Sequence, residues 1–134
     1  MNRRILLLFF ILTLTAASYS HVIQGAFQFD DDLGILKNPL VVQPSELFSA
    51  RNITSFFEQR PLTILTFAVN YALGERAVEG YHMVNIIIHL LTVIALFFFV
   101  RMTLLRPPLK DTSKDRAEWM ALVVAGVFAL HPLQ

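Results

Sequence analysis

Tyr81-His82-Met83-Val84-Asn85-Ile86-Ile87-Ile88-His89-Leu90-Leu91-Thr92-Val93-Ile94-Ala95-Leu96-Phe97-Phe98-Phe99-Val100 carries no charged side chain, and Arg101 closes it. A helix of that length rises ~30 Å, the thickness of the hydrocarbon core of a bilayer. Composition points the same way. The 134 residues are 55% hydrophobic, with 12 Phe and 16% charged residues, where soluble domains run to about 25% charged. The class is an all-α membrane protein, a multispanning helical bundle. A net charge of +1 gives no reason to expect a nucleic-acid partner. The absence of Cys excludes a disulfide framework, a thiolate metal site and a cysteine nucleophile.

Two further apolar runs flank this span. Residues 5–23 follow Arg3-Arg4 and are long enough to cross a bilayer. A cleavable signal peptide is the rival reading, because Ala16-Ala17-Ser18 supplies small residues after an apolar core. Tyr19 and Val22-Ile23 carry the apolar stretch beyond that point. Residues 117–134 form the third run, entered near Trp119, a residue suited to the membrane interface, and ending at His131-Pro132-Leu133-Gln134. The apolar run stops with no polar tail, as expected of the N-terminal part of a longer protein.

Orientation follows from charge. Residues 101–116 hold Arg101, Arg106, Lys110, Lys114 and Arg116, and Pro107-Pro108 breaks any helix there. So basic a loop is cytoplasmic by the positive-inside rule, which also puts the N-terminus in the cytoplasm. Residues 24–80, with only Lys37, Arg51, Arg60 and Arg76 as basic residues, form an outer loop. The whole chain then reads as one transmembrane domain with its polar chemistry on the outer side.

A loop that long usually folds or works. It opens with Phe27-Gln28-Phe29-Asp30-Asp31-Asp32. Repulsion among adjacent carboxylates disfavours ionising all of them together, which suits a proton-abstracting base. Hard oxygens equally suit Mg²⁺ or Mn²⁺, and the pattern alone does not separate base, metal site and solvated turn. Residues 30–38 read as a turn, with Gly34 for unusual backbone angles and Asn38-Pro39 as its end. Ser45 is placed to cap a short helix through Phe48, and Asn52-Ile53-Thr54 fits a glycosylation acceptor. Pro61 and Gly74 bracket a helix too short to span a bilayer, which predicts an embedded or interfacial element. Arg60 before it is either a phosphate clamp at a helix N-terminus or an interfacial arginine pairing with Glu58 or lipid headgroups.

His82, Asn85 and His89 fall on one stripe of the second span, and His131 lies toward the end of the third. Two roles fit these polar groups: interhelical hydrogen bonds, or the lining of an active cavity. No ligand pair such as His-x-x-x-His occurs within one element, which argues against zinc.

Four motifs stand in a recognisable order: Phe27-x-x-Asp30-Asp31 with Ile35 and Asn38-Pro39; Arg60-Pro61-Leu62 with Asn70-Tyr71; Tyr81-His82-x-x-Asn85-x-x-x-His89; and Phe128 to Gln134. From Phe27 onward the chain resembles the N-terminal membrane region of the transmembrane and tetratricopeptide-repeat proteins. That family is related to the protein O-mannosyltransferases of the GT-C glycosyltransferase superfamily. The resemblance implies sugar transfer from a polyprenyl or dolichyl phosphate donor to a protein or other hydroxyl. It implies a catalytic role for Asp30 and Asp31, with Asp32 in a looser position, and a donor-phosphate contact for Arg60. It also implies the inner membrane of a bacterium or the endoplasmic reticulum of a eukaryote. The later spans and repeats of the family lie outside this sequence, so the segment alone is expected to be inactive. A non-catalytic membrane anchor for a repeat array is the competing function.

Overall fold

The structure, a computed structural model, describes residues 3–28, 31–47, 49, 52–106 and 113–131. Among these there is no strand. In chain order the helices are α1 (Arg3–Tyr19), α2 (Pro39–Val42), α3 (Ile53–Glu58), α4 (Pro61–Gly74), α5 (Val78–Leu104) and α6 (Lys114–Ala129). A 3-10 turn over Ser20–Gln24 prolongs α1. Arg3–Gln24, at 22 residues, and α5, at 27, are each long and apolar enough to cross a membrane. α6 begins ahead of Trp119 because Ser113 caps it, its Oγ accepting from the Arg116 N–H at 3.3 Å. Pro107-Pro108 and the expected end of the third span, 132–134, lie outside the described residues.

The chain divides into two compact units, Met1–His21 with Asn85–Gln134, and Val22–Val84. The first, the helical unit, buries a row of small residues on α6 against Val93, Phe97 and Leu122. Ala117, Ala121, Ala125 and Ala129 recur every fourth residue on α6, and all are fully buried. Small side chains let helices approach closely, the usual basis of association in lipid. α1 packs against α6 at this face, where a Cβ added at Gly126 would lie 3.6 Å from Ile11 Cδ1, an ordinary van der Waals contact. Thr15, also buried, returns its hydroxyl to the Ile11 carbonyl at 2.8 Å, so that hydroxyl has a partner. Large apolar residues face outward instead, among them Phe9, Phe10, Leu91, Phe99 and Val127.

Buried Glu118 marks one end of this unit. It accepts hydrogen bonds from Arg4 of α1 and, at 3.2 Å, from Arg101 Nε of α5, while Arg4 also pairs with Asp115. The start of α1, the end of α5 and the start of α6 therefore share one end, and the three helices alternate in direction. At the other end the Tyr19 hydroxyl donates to the His131 carbonyl at 2.9 Å. Arg4 and Arg101 read from sequence only as markers of orientation. Their shared carboxylate is a tertiary finding.

The second, the loop unit, has an interior of mostly larger side chains. Ile35, Leu40, Val41, Leu47, Phe56, Ile64, Ala68 and Tyr81 form its buried core. Several local expectations shift here. Asp32–Leu36 forms a single π-helical turn. Asn38-Pro39 ends the turn by starting a helix: Asn38 Oδ1 accepts from the Leu40 N–H at 3.0 Å, and Pro39 takes the first helical position. Ser45 lies inside a 3-10 turn over Pro44–Glu46, with Pro44 leading it, and so caps nothing. α4 keeps the bounds that Pro61 and Gly74 predict.

The left-handed backbone after α4 falls on Glu75 (φ 50°) rather than on a glycine, and no described glycine has positive φ. The Tyr81 hydroxyl holds that turn, donating to the Glu75 carbonyl at 2.9 Å. Gly80 earns its place by packing. A Cβ there would stand 3.3 Å from Asn70 Oδ1, so its absence lets α4 lie against the first turns of α5.

Candidate functional site

An open cavity of about 590 Å³ in the loop unit is lined on its polar side by Asp31, Asn38, Glu58, Gln59, Arg60 and Thr63. Ile35, Ile64 and Phe67 line it as well. Its volume falls within the range of small-molecule sites, about 300–1,000 Å³. Each polar residue arrives on a different local device. Asp31 leads the π-helical turn and is held by an exchange with Gln28: its N–H donates to the Gln28 carbonyl at 3.1 Å, and its Oδ2 accepts from the Gln28 N–H at 2.9 Å. Asn38 caps α2 through its oxygen and donates its amide to Gln59 Oε1 at 3.3 Å, tying the two sides of the cavity together.

Arg60 is the N-cap residue of α4 and makes no side-chain capping bond. The first turn of α4, whose free N–H groups and dipole end favour an anion, thus begins at a residue that lines the cavity. Arg60, Thr63, Ile64 and Phe67 recur at the spacing of one helix face, which is why they line the cavity together. Among the described residues no ion pair joins Arg60 to Glu58 or to Asp31. The cavity thus presents a carboxylate and a cation that do not neutralise each other. Such an arrangement can accept a proton at one wall and hold an anionic group at another.

Asp30 lies outside the described residues, as does the side chain of Asp32. Among the described residues no three His, Asp or Glu side chains converge as a metal site. Of the polar residues singled out on the spans, His82 is in the loop unit, where its Nε2 lies 3.3 Å from the Gly25 carbonyl. Asn85, His89 and His131 belong to the helical unit. Asn85 is exposed. His89 Nε2 meets the Ala129 carbonyl at 3.1 Å, and its ring packs edge-on against Tyr19 with centroids 5.3 Å apart. That bond takes up a backbone acceptor at the end of α6 which would otherwise lack a partner in the bundle. His131 lines an apolar groove of about 450 Å³ with Leu96, Val123, Val124, Val127 and Phe128. Asp31 and Arg60 are therefore brought together, while none of these four residues lines their cavity.

Sequence reasoning missed Thr63, Asn38 and Gln59 as lining residues. The helical register that begins at Arg60 could have found Thr63. Asn38 and Gln59 carried no such signal, because their meeting depends on how α2 and α3 pack.

Comparison with known proteins finds consistent relatives. Protein O-mannosyl-transferase F38B6.6 of Caenorhabditis elegans is 37% identical over 102 residues, covering 69% of this chain and 14% of that protein. Protein O-mannosyl-transferase TMTC4 of Homo sapiens is 34% identical over 124 residues, 81% of this chain and 16% of the relative. Protein O-mannosyl-transferase TMTC1 of Homo sapiens is 32% identical over 126 residues, 86% of this chain and 13% of the relative. The chain spans between 13% and 16% of the length of these curated relatives. No protein-family model and no solved structure matches it.

Proposed function

The chain belongs to the TMTC family, the transmembrane and tetratricopeptide-repeat proteins, and on that premise we propose that it forms the front end of a membrane glycosyltransferase of the GT-C type. The donor is a polyprenyl or dolichyl phosphate sugar of the mannose class, and the acceptor is a protein hydroxyl. The loop unit faces away from the cytoplasm. That is the lumen of the endoplasmic reticulum in a eukaryote, or the outer side of the inner membrane in a bacterium. The observation that carries this reading is the shared cavity: Asp31 and Arg60 line one volume without pairing.

In the reaction the Asp31 carboxylate takes the proton of the acceptor hydroxyl as its oxygen attacks the anomeric carbon. The bond from that carbon to the phosphate oxygen breaks, its electron pair stays on the phosphate, and the anomeric centre inverts. Arg60 and the free N–H groups of α4 stabilise the charge that grows on the departing phosphate. Asp30 is the second candidate for the base. No step here requires a metal ion, although carboxylate oxygens of this kind suit Mg²⁺ or Mn²⁺.

The test is sugar transfer by the full-length protein reconstituted with a dolichyl phosphate mannose donor and a peptide acceptor. Replacing the base, Asp31→Asn, is expected to lower kcat by about 10²–10⁴-fold. Arg60→Ala should lose more than Arg60→Lys, since only the guanidinium fork matches two phosphate oxygens. Unchanged transfer in both Asp31→Asn and Asp30→Asn would falsify the base assignment.

A further inference from the structure

Two amides on the cavity wall, those of Asn38 and Gln59, are joined in a way that fixes which atom each has left to offer. The Asn38 oxygen is committed to the Leu40 N–H at 3.0 Å, because only the oxygen of an amide accepts. Its nitrogen is therefore the atom that reaches Gln59, and only the Gln59 oxygen can receive it, at 3.3 Å. Gln59 Nε2, with its two hydrogens, is what remains. Among the described residues no further hydrogen bond engages the Gln59 side chain. Both amides stand on fixed backbone. Asn38 leads α2, whose Leu40 and Val41 are buried in the core. Gln59 closes α3, its own N–H donating to the Ser55 carbonyl at 3.3 Å. An aromatic side chain completes the setting. Phe67 lines the same cavity with its ring centroid 6.0 Å from that of Tyr81, and Tyr81 meets Phe27 edge-on at 5.4 Å.

We infer that Gln59 reads the sugar of the donor: its Nε2 gives a hydrogen bond to a sugar hydroxyl oxygen, and Asn38 is the positioning residue that keeps that nitrogen, rather than the oxygen, available to the cavity. The inference rests on the sugar-phosphate donor of the proposed reaction and adds the contact that distinguishes the sugar from the rest of the lipid. The chemistry of the wall selects a sugar. A hexose carries hydroxyls around its rim and C–H groups on its faces, so it calls for neutral donors of fixed direction beside an apolar surface. The amide pair supplies the first and Phe67 the second. A neutral amide suits a hydroxyl, whereas a phosphate is better met by a cation. Because Asn38 already holds the Gln59 oxygen, little side-chain freedom is left to lose when the sugar arrives.

The test is equilibrium binding to the full-length protein in nanodiscs, with no acceptor present, of two lipids that differ only in the sugar: dolichyl phosphate mannose and dolichyl phosphate. Gln59→Ala should weaken the mannosyl lipid about 3–10-fold, the range of one neutral hydrogen bond, and leave dolichyl phosphate unchanged. Asn38→Ser keeps a capping oxygen for α2 but removes the amide that reaches Gln59. It should produce a smaller loss, again confined to the mannosyl lipid. In the double variant Asn38→Ser should add nothing to Gln59→Ala, as expected of a residue that acts only through the other. Equal weakening of both lipids by Gln59→Ala overturns the inference, since the loss then follows the lipid or the fold and not the sugar. Unchanged binding of both also overturns it and leaves Nε2 to the acceptor peptide. Additive losses in the double variant remove Asn38 as the positioning residue. A wild-type chain that binds neither lipid sinks the donor reading itself, a result distinct from all of these. No transfer is measured, so the base assignment and the sugar contact can fail separately.

Discussion

The helical unit and the loop unit of one short chain differ in what they bury: a row of alanines beside Val93, Phe97 and Leu122 in the first, mostly large apolar side chains in the second. In the helical unit the fully buried positions are Ala117, Ala121, Ala125, Ala129, Thr15 and Val93, while Phe9, Phe10 and Phe99 face outward. In the loop unit Leu40, Val41, Leu47 and Phe56 are inside. The difference is one of solvent. Where lipid surrounds a helix, apolar side chains gain nothing by leaving it, so close backbone approach and polar pairing hold the helices together. Where water is near, burial of large apolar surface drives packing, at about 25 cal/mol per Å².

The contrast breaks most sharply if one substitution is made in both places. Phe56→Ala opens a void in the buried core of the loop unit and should cost about 3–5 kcal/mol. Phe99→Ala on the outer face of α5 should cost within about 0.5 kcal/mol, since lipid takes up the vacated space. Hydrogen exchange of the full-length protein in nanodiscs checks both. Comparable losses of protection would erase the distinction between the units.

A somewhat smaller effect is expected at the ionic end of the helical unit. Glu118→Gln leaves Arg4 and Arg101 without their shared carboxylate and should cost about 3 kcal/mol, the low end for a broken buried pair because both arginines are partly exposed. Replacing all three residues with Met should recover most of that loss. Thermal unfolding in detergent, followed by accessibility of the α1 end to protease, reads the result. No recovery in the triple variant would mean that the charges do more than compensate one another.

The smallest effect tests close approach. Ala125→Leu adds bulk where α6 has no room and should destabilise the unit by about 1–3 kcal/mol. The same change at exposed Val127 should be silent. If both substitutions are tolerated alike, the alanine row is not a packing seam.

Much of the architecture was readable before any coordinates. Charge-free length identified α5, and Pro61 with Gly74 bounded α4. Both signals are local, because hydropathy and backbone chemistry act over neighbouring residues. The helix that follows Asn38 went unread for the same reason. As a cap and as a turn end, Asn-Pro looks alike until the partner N–H of Leu40 is known.

By itself, then, the sequence determined the membrane class, which follows from composition, and offered Asp30, Asp31 and Arg60 as candidates through the family resemblance. Tertiary structure decided which polar residues share a volume. It put Asp31 and Arg60 on one cavity, sent His89 to the Ala129 carbonyl, and gave Arg4 and Arg101 a common carboxylate in Glu118. Those are contacts between residues far apart in the chain, and no periodicity encodes them. They exist only once helices have closed on one another at distances set by the sizes of the side chains between them.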